Sequence, residues 1–366
     1  MRICLIGPVP PYRGGIARYC HLLARELEER HDLLLLSYRR QYPELLYGRK
    51  SQLDPDLDFS CISHEFRTLS YDLDSVNPLS WLAALRRIVA FKADLVILPW
   101  WVAYWAPLYL FLLSRLSAAG IRTVLICINI HEHEDSRLKR FLADQVLKRS
   151  RCMVVHSGQE QLLACQINPG AGVRMHPLPL FSSAPPSRRV HEGQYRLLFF
   201  GFVRPYKGLD LLIEALGILN RDDVSLTVAG EFWEGKETLE GRVRELGLSE
   251  RVTVIDRYLP DEEMQRCFEA ADLVVLPYRR SVTSGVIATA YGFGRPVLAT
   301  RVGGFHEVVQ DGYTGRLVPP GDPKALAAGI SWFMERRQTD FAGNIRRFTG
   351  ETMSWRSLAD LLEGFA

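Results

Sequence analysis

The decapeptide GFVRPYKGLD at 201–210 sets Arg204 and Lys207 in a short turn. An apolar run, LLFF at 197–200, precedes it, and LDLLIEALGIL, with helical periodicity, follows. The pattern reads strand, turn, helix, with a glycine on either side of the turn. A helix start carries unpaired N–H groups and about half a positive charge. Cations placed there make a site for an anion. Arginine offers a planar fork that matches phosphate oxygens, and lysine a compact charge. The plain alternative is a salt-bridged surface turn. Neither the GxxxxGK[ST] loop nor the GxGxxG fingerprint is present, so neither of those phosphate-binding classes is indicated.

Two further loops have the same strand-to-helix character. GPVPPYRGGIARY at 7–19 enters its helix through Gly14 and Gly15, and paired glycines let a backbone approach a ligand closely. LPYRRSVTSGVIATAYGFGRPVLATRVGG at 276–304 leaves a strand at Pro277. Tyr278 to Ser284 form a polar loop, and Thr283 or Ser284 caps a helix that starts near Gly285.

These loops need rigid elements behind them. Short apolar strands are expected at 2–7, 32–37, 94–99, 123–128 and 152–157, with helices between them, and the second half repeats the scheme from 196 onward. Apolar strands alternating with helices indicate parallel sheets covered on both faces. The expected fold class is α/β, as two Rossmann-like doubly wound parallel-sheet domains facing a cleft. The domains are expected at 1–185 and 186–345, joined by SSAPPSRRVHEGQ at 182–194, with 346–366 as a C-terminal helix returning to the first domain. Ligands of such sheets bind beyond the carboxyl ends of the strands, where these three loops lie.

Bulk properties narrow the class. The chain has 366 residues, 47% hydrophobic and 24% charged, which fits a globular protein of two domains. A net charge of +3 does not call for nucleic acid. Residues 1–185 hold 22 Lys and Arg against 17 Asp and Glu, a mild excess compatible with an acidic partner or an anionic membrane surface. Seven scattered cysteines without a CxxC suggest a reducing compartment. MRICLIG is expected to run straight into a strand with no signal peptide ahead of it. LVILPWWVAYWAPLYLFLLS at 95–114 is uncharged and about long enough to span a bilayer, but two prolines divide it. A buried strand, loop and helix are expected there, and a helix resting on lipid through its Trp and Tyr is the alternative.

The three loops together resemble the retaining nucleotide-sugar glycosyltransferases of family 4, or group 1, which have the GT-B fold. GFVRPYKGLDLLIEAL is similar to that family's phosphate-binding motif. PYRRSVTSGVIATAYGFGRPVLAT and VGGFHEVVQDGYTGRLVPPGD resemble its donor-site signature and tail. The resemblance implies that Arg204 and Lys207 hold the donor diphosphate and stabilise the departing nucleotide. It implies that Ser284, Gly285 and Val286 offer donors to the same phosphates. Gly14 and Gly15 border the sugar, and Glu231 and Tyr278 lie in loops near the donor. The implied partners are a UDP- or GDP-linked sugar as co-substrate and a saccharide or lipid-linked acceptor, with no further cofactor. The implied place is the cytoplasm, peripheral to the inner face of the cell membrane.

Two departures stand out. The family usually has two glutamates in the donor loop, where this chain has Ser281 and Thr289, with Thr283 nearby. In the first half, NIHEHEDS at 129–136 lacks a histidine at the strand end, and His131 or His133, preferentially His133, is expected to fill that place. A solvated loop is the bland reading of HEHE, and its spacing does not suit a helical zinc pair. The triplets Asp56–Asp58 and Asp72–Asp74 look like the DxD of other glycosyltransferases but read better as acidic loops, so no metal is expected. A sugar-nucleotide 2-epimerase of the same architecture and a non-catalytic nucleotide-sugar-binding protein are the two rival readings.

Overall fold

The computed structural model describes residues 1–43, 51–54, 57–59, 64–132, 136–182, 193–350 and 352–366. Residues 183–192 of the expected linker, Asp56 and His133 lie outside the described residues. The chain divides into two units, one of 1–179 with 351–366 and one of 180–350.

The first unit is built on a parallel seven-stranded sheet. In chain order its elements are β1 (Arg2–Ile6), α1 (Gly15–Arg30), β2 (Asp32–Arg40), β3 (Leu69–Asp74) and α2 (Pro78–Phe91). There follow β4 (Leu95–Trp100), α3 (Ala106–Ala118), β5 (Arg122–Cys127), α4 (Arg137–Arg149), β6 (Cys152–Val155), α5 (Gly158–Ile167) and β7 (Gly172–Met175). The spatial order is β3-β2-β1-β4-β5-β6-β7, so the order reverses between β1 and β4. All of Ile3 to Ile6 is 0% exposed, as a strand covered on both faces requires. Helix starts follow capping chemistry: Asn77, Ser136 and Ser157 each accept a backbone N–H of the first turn. The triplet Asp72–Asp74 is not a loop but the end of β3, where buried Asp74 takes Arg40 Nη2 at 2.6 Å.

The second unit has a parallel six-stranded sheet ordered β10-β9-β8-β11-β12-β13. Its elements are β8 (Tyr195–Phe200), α6 (Leu209–Leu219), β9 (Val224–Ala229), α7 (Lys236–Glu245), β10 (Val252–Ile255) and α8 (Asp261–Ala270). Then come β11 (Leu273–Leu276), α9 (Gly285–Gly292), β12 (Val297–Thr300), α10 (Phe305–Val308), β13 (Gly315–Val318), α11 (Pro323–Met334) and α12 (Phe341–Thr349). Alternate residues of β8 feed opposite cores: Leu197 and Phe199 join one cluster, Leu198 the other. The last helix, α13 (Trp355–Glu363), belongs to the first unit and packs on α1. Arg30 Nη2 meets Asp360 Oδ1 at 2.6 Å and Glu363 Oε1 at 2.8 Å, and the Tyr19 and Trp355 rings meet edge to face at 5.1 Å.

In the second sheet the order reverses between β8 and β11, and the loops that follow these neighbours close on each other at that point. Two glycines make the approach. Gly208 has φ +66°, and a Cβ there would stand 2.2 Å from the Pro277 carbonyl oxygen. Gly230, after β9, has φ +146°, and a Cβ there would stand 2.3 Å from the Gly201 oxygen. Alanine at either site would combine a disfavoured backbone conformation with a clash against main chain. Gly208→Ala and Gly230→Ala should each cost more than about 2 kcal/mol in denaturant unfolding, whereas Gly235→Ala, which meets open space, should cost less.

Candidate functional site

At the end of β8 the chain turns through Gly201, and Pro205–Lys207 forms one 3-10 turn ahead of α6. This turn brings Arg204 and Lys207 to the switch point of the sheet, the crevice where doubly wound sheets take ligands. Lys207 is only 8% exposed. Its Nζ lies 3.0 Å from where a Gly201 Cβ would stand and 5.6 Å from the Tyr278 ring centroid. Burial pulls the Lys207 ammonium down to about 8, and the neighbouring Arg204 charge pulls the same way. Lys207 makes no ion pair among the described residues. An ammonium buried beside a second cation is unfavourable unless something anionic joins them.

The turn is held by residues that its own sequence does not announce. Arg279, after β11, donates its backbone N–H to Tyr206 O at 2.7 Å and its Nη1 to Pro205 O at 2.9 Å. The same guanidinium pairs with Asp210 Oδ1 at 2.8 Å in the first turn of α6. On the other side the β8–β9 pairing continues beyond the strands: Val203 N–H donates to Glu231 O at 2.9 Å, and Trp233 N–H to Val203 O at 3.3 Å. That zip puts the Trp233 ring 3.9 Å from the Arg204 guanidinium carbon. Sequence reasoning singled out Glu231 in this loop and missed Trp233, Arg279 and Asp210. The signal for Trp233 was available, as an aromatic two residues past the glutamate, but its partner is settled only by the loop pairing.

The third loop sits against the first. Tyr278 is buried and its carbonyl accepts Thr300 Oγ1 at 2.5 Å. Ser281 Oγ donates to Thr283 O at 2.9 Å, and Val282 O accepts Gly304 N–H at 2.9 Å, which pins the loop to the glycine pair after β12. Ser284 rather than Thr283 caps α9, its Oγ accepting from Val286 N–H at 3.2 Å. Gly285 lies against the Phe181 ring, and Val286 Cγ2 stands 3.9 Å from the Gly201 Cβ position, so the start of α9 borders Lys207. Thr289 is 5% exposed and gives its hydroxyl hydrogen to Gly285 O at 2.8 Å. What it keeps is acceptor capacity alone.

In the first unit Gly14 caps α1 with φ +99°, and a Cβ on Gly15 would meet open space. In the loop after β5, the described residues His131 and Glu132 are pinned by side-chain contacts. His131 Nε2 meets Asp144 Oδ1 at 3.0 Å, Glu132 Oε1 accepts Ala103 N–H at 2.8 Å, and Lys139 Nζ meets Glu132 Oε2 at 2.7 Å. Buried Glu160 accepts Ile130 N–H at 2.7 Å, and burial pushes its carboxyl up to about 8. The aromatic segment 100–111 does not form a lipid-facing surface. Trp100, Trp101, Trp105 and Tyr109 are all 7% exposed or less, because the indole N–H groups and the phenol find partners inside: Ile130 O, Tyr42 Oη and Pro99 O. Among the described residues no helix is long and apolar enough to cross a membrane, and no three His, Cys, Asp or Glu side chains cluster to hold a metal ion.

Comparison with known proteins bears on both units. Residues 14–181 match the family model described as glycosyl transferase 4-like domain, and residues 194–336 match glycosyl transferases group 1. A D-inositol 3-phosphate glycosyltransferase of Geodermatophilus obscurus is 31% identical over 242 residues, which covers 63% of this chain and 52% of that protein. The chain thus spans about half the length of that relative and of others of the same name. A GDP-mannose-dependent alpha-(1-6)-phosphatidylinositol monomannoside mannosyltransferase of Mycolicibacterium smegmatis is 26% identical, covering 97% of this chain and 96% of the relative. Among solved structures, HepE of Anabaena in complex with UDP superposes with a TM-score of 0.76 at 17% identity, over 100% of both chains. Sucrose-phosphate synthase of Thermosynechococcus elongatus gives 0.74 at 18% identity, over 99% of this chain and 97% of that one. Each unit therefore carries a glycosyltransferase family domain, 4-like in the first and group 1 in the second, on the fold of the GT-B enzymes.

Proposed function

We propose that the chain is a metal-independent glycosyltransferase that moves a hexosyl group from a nucleotide-diphosphate sugar to an acceptor hydroxyl with retention of anomeric configuration. The observation that carries this reading is the buried Lys207 beside Arg204 at the switch point of the second sheet. As the bond from the anomeric carbon to the phosphate oxygen breaks, charge collects on the diphosphate. Two cations and the α6 and α9 starts face that charge, so no metal is required to neutralise it. The acceptor oxygen bonds to the same carbon, and its proton passes to the leaving phosphate. Charge-assisted hydrogen bonds of this kind contribute about 1.5–3 kcal/mol each. We assign Ser281, Thr283, Glu231 and Tyr278 to the donor, and Gly14, Gly15 and His133 to the border of its sugar.

We extend the reading to glycolipid or cell-surface polysaccharide synthesis at the inner face of the cell membrane, and the names of the relatives support the glycolipid part. They name an inositol phosphate and a phosphatidylinositol mannoside as acceptors and GDP-mannose as a donor, while HepE was solved with UDP-glucose. A surface of the first unit supports a lipid-linked acceptor. Leu79, Leu82 and Val89 of α2 are 76%, 38% and 47% exposed on one helix face, with exposed Arg86 among them. An apolar stripe interleaved with cations suits an anionic bilayer.

A donor screen over UDP- and GDP-sugars should find one that raises the melting temperature, and Arg204→Ala or Lys207→Ala should remove most of that shift and lower kcat roughly 10²–10³-fold. Turnover of donor without acceptor would instead favour the epimerase, and binding without turnover over a broad acceptor panel would favour the non-catalytic protein.

Affinity for the donor should depend on pH in one direction. The free Lys207 ammonium titrates at about 8, and a bound diphosphate raises that value. Binding above pH 8 must therefore take up a proton. Affinity is full below pH 8 and falls as pH rises beyond it, by at most about tenfold per unit. Titrations at pH 7 and 9 should show this loss, and Lys207→Arg, which stays charged, should flatten it. A flat profile for the unaltered chain would contradict the site.

Vesicles containing anionic lipid should co-float the protein at low salt, and Leu79→Glu with Leu82→Glu should reduce this. Absence of flotation at low salt would rule out the lipid surface.

A further inference from the structure

We propose that Trp233 is a positioning residue for the phosphate-binding arginine: its indole face holds the Arg204 guanidinium in place before the donor arrives. This inference rests on the reading of Arg204 as a diphosphate ligand and deepens it. The guanidinium carbon stands 3.9 Å from the Trp233 ring, well inside the distance of about 6 Å at which cation–π attraction counts, and tryptophan is the strongest aromatic partner for it. The contact is built rather than incidental. Val203 and Phe232 form a bridge that prolongs the β8–β9 pairing, with hydrogen bonds from Val203 N–H to Glu231 O and from Trp233 N–H to Val203 O on either side of it. The close approach of Gly230 to Gly201 keeps the two loops in that register. Phe202 then meets Trp233 edge to face at 5.8 Å and supports the ring from its own side.

Stacking suits an arginine that must meet phosphate. It engages the face of the guanidinium, while the N–H groups lie in the plane and point past the ring. The negative face of the indole also offsets part of the repulsion between Arg204 and Lys207, which lowers the lysine's tendency to stay charged. A long, rotamer-rich side chain fixed in advance loses less freedom on binding.

A double-mutant cycle tests this with the full chain and the donor identified by the thermal-shift screen. Dissociation constants are measured for the parent, Trp233→Leu, Arg204→Gln and the double variant. Trp233→Leu should weaken binding about fivefold to twentyfold, and the double variant should bind no more weakly than Arg204→Gln alone. Trp233→Phe, which keeps a smaller face, should recover at least half of the loss on a logarithmic scale and also serves if the leucine variant does not fold. Additive losses would overturn the proposal, because the ring would then touch the donor by itself. Unchanged affinity in Trp233→Leu or in Trp233→Ala would overturn it too. If Arg204→Gln binds as the parent does, the diphosphate reading fails first and the positioning role with it, an outcome set apart from the others by that single variant.

Discussion

The second unit turns on a like-charge contact: a lysine ammonium, nearly out of water, lies close to an arginine guanidinium. Folding does not favour that arrangement by itself. Burial raises the cost of the charged form, and the second cation raises it again. The arrangement persists because the surrounding main chain leaves the turn no alternative. Gly208 is locked against Pro277, Pro205 and Tyr206 are held by Arg279, and Val203 is zipped to the β9 loop. These contacts tie the turn to two other segments of the chain, the loop after β11 and the loop after β9. A site in which repulsion is stored and then relieved by an anion binds that anion with a gain that an ordinary surface turn cannot supply.

How much of this was legible in the sequence follows from how local each feature is. Arg204, Lys207 and the glycines around them form one strand-turn-helix unit, so composition and spacing were enough to bring both cations into one turn. The apolar strands β1, β4, β5, β8, β11 and β12 announced themselves because both faces are covered. The edge strands β3, β7 and β13 did not. LSYDLD in β3, GVRM in β7 and GRLV in β13 have a neighbour on one side only and carry too little apolar content to signal a strand. Helix α12, FAGNIRRFT, carries little helical signal, because its glycine and asparagine mask a helix capped by Asp340. Trp233 and Arg279 act on the phosphate turn from other loops of the sheet, a tertiary fact that no window of sequence contains.

The aromatic segment 100–111 shows the opposite failure. Six aromatic residues in an uncharged run carry the composition of a membrane interface, yet four of them, Trp100, Trp101, Trp105 and Tyr109, are buried with their polar atoms satisfied internally and their rings packed on one another. Composition cannot tell a wet interface from a core whose N–H groups have found carbonyl partners. The outward face of α2 is less apolar overall, but its Leu79, Leu82 and Val89 stay exposed. Exposure, not aromatic content, is what separates a surface that seeks a partner from one that has it.

The donor loop brings the charge balance to a close. From Tyr278 to Thr289 it carries no carboxylate, with Ser281 and Thr289 at the two positions where the family has glutamates. Thr289 has given its hydrogen to its own helix, and Ser281 has given its hydrogen to Thr283. Neither side chain therefore adds negative charge near Lys207, whose ammonium is pulled down to about 8 by burial first and by the Arg204 charge second. Under the proposed function, a diphosphate diester brings two negative charges to these two cations. The loss of the glutamates thus shifts the loop from gripping hydroxyls with charge to contacting them with neutral groups. Affinity for the donor then comes to rest more heavily on its phosphates than on its sugar.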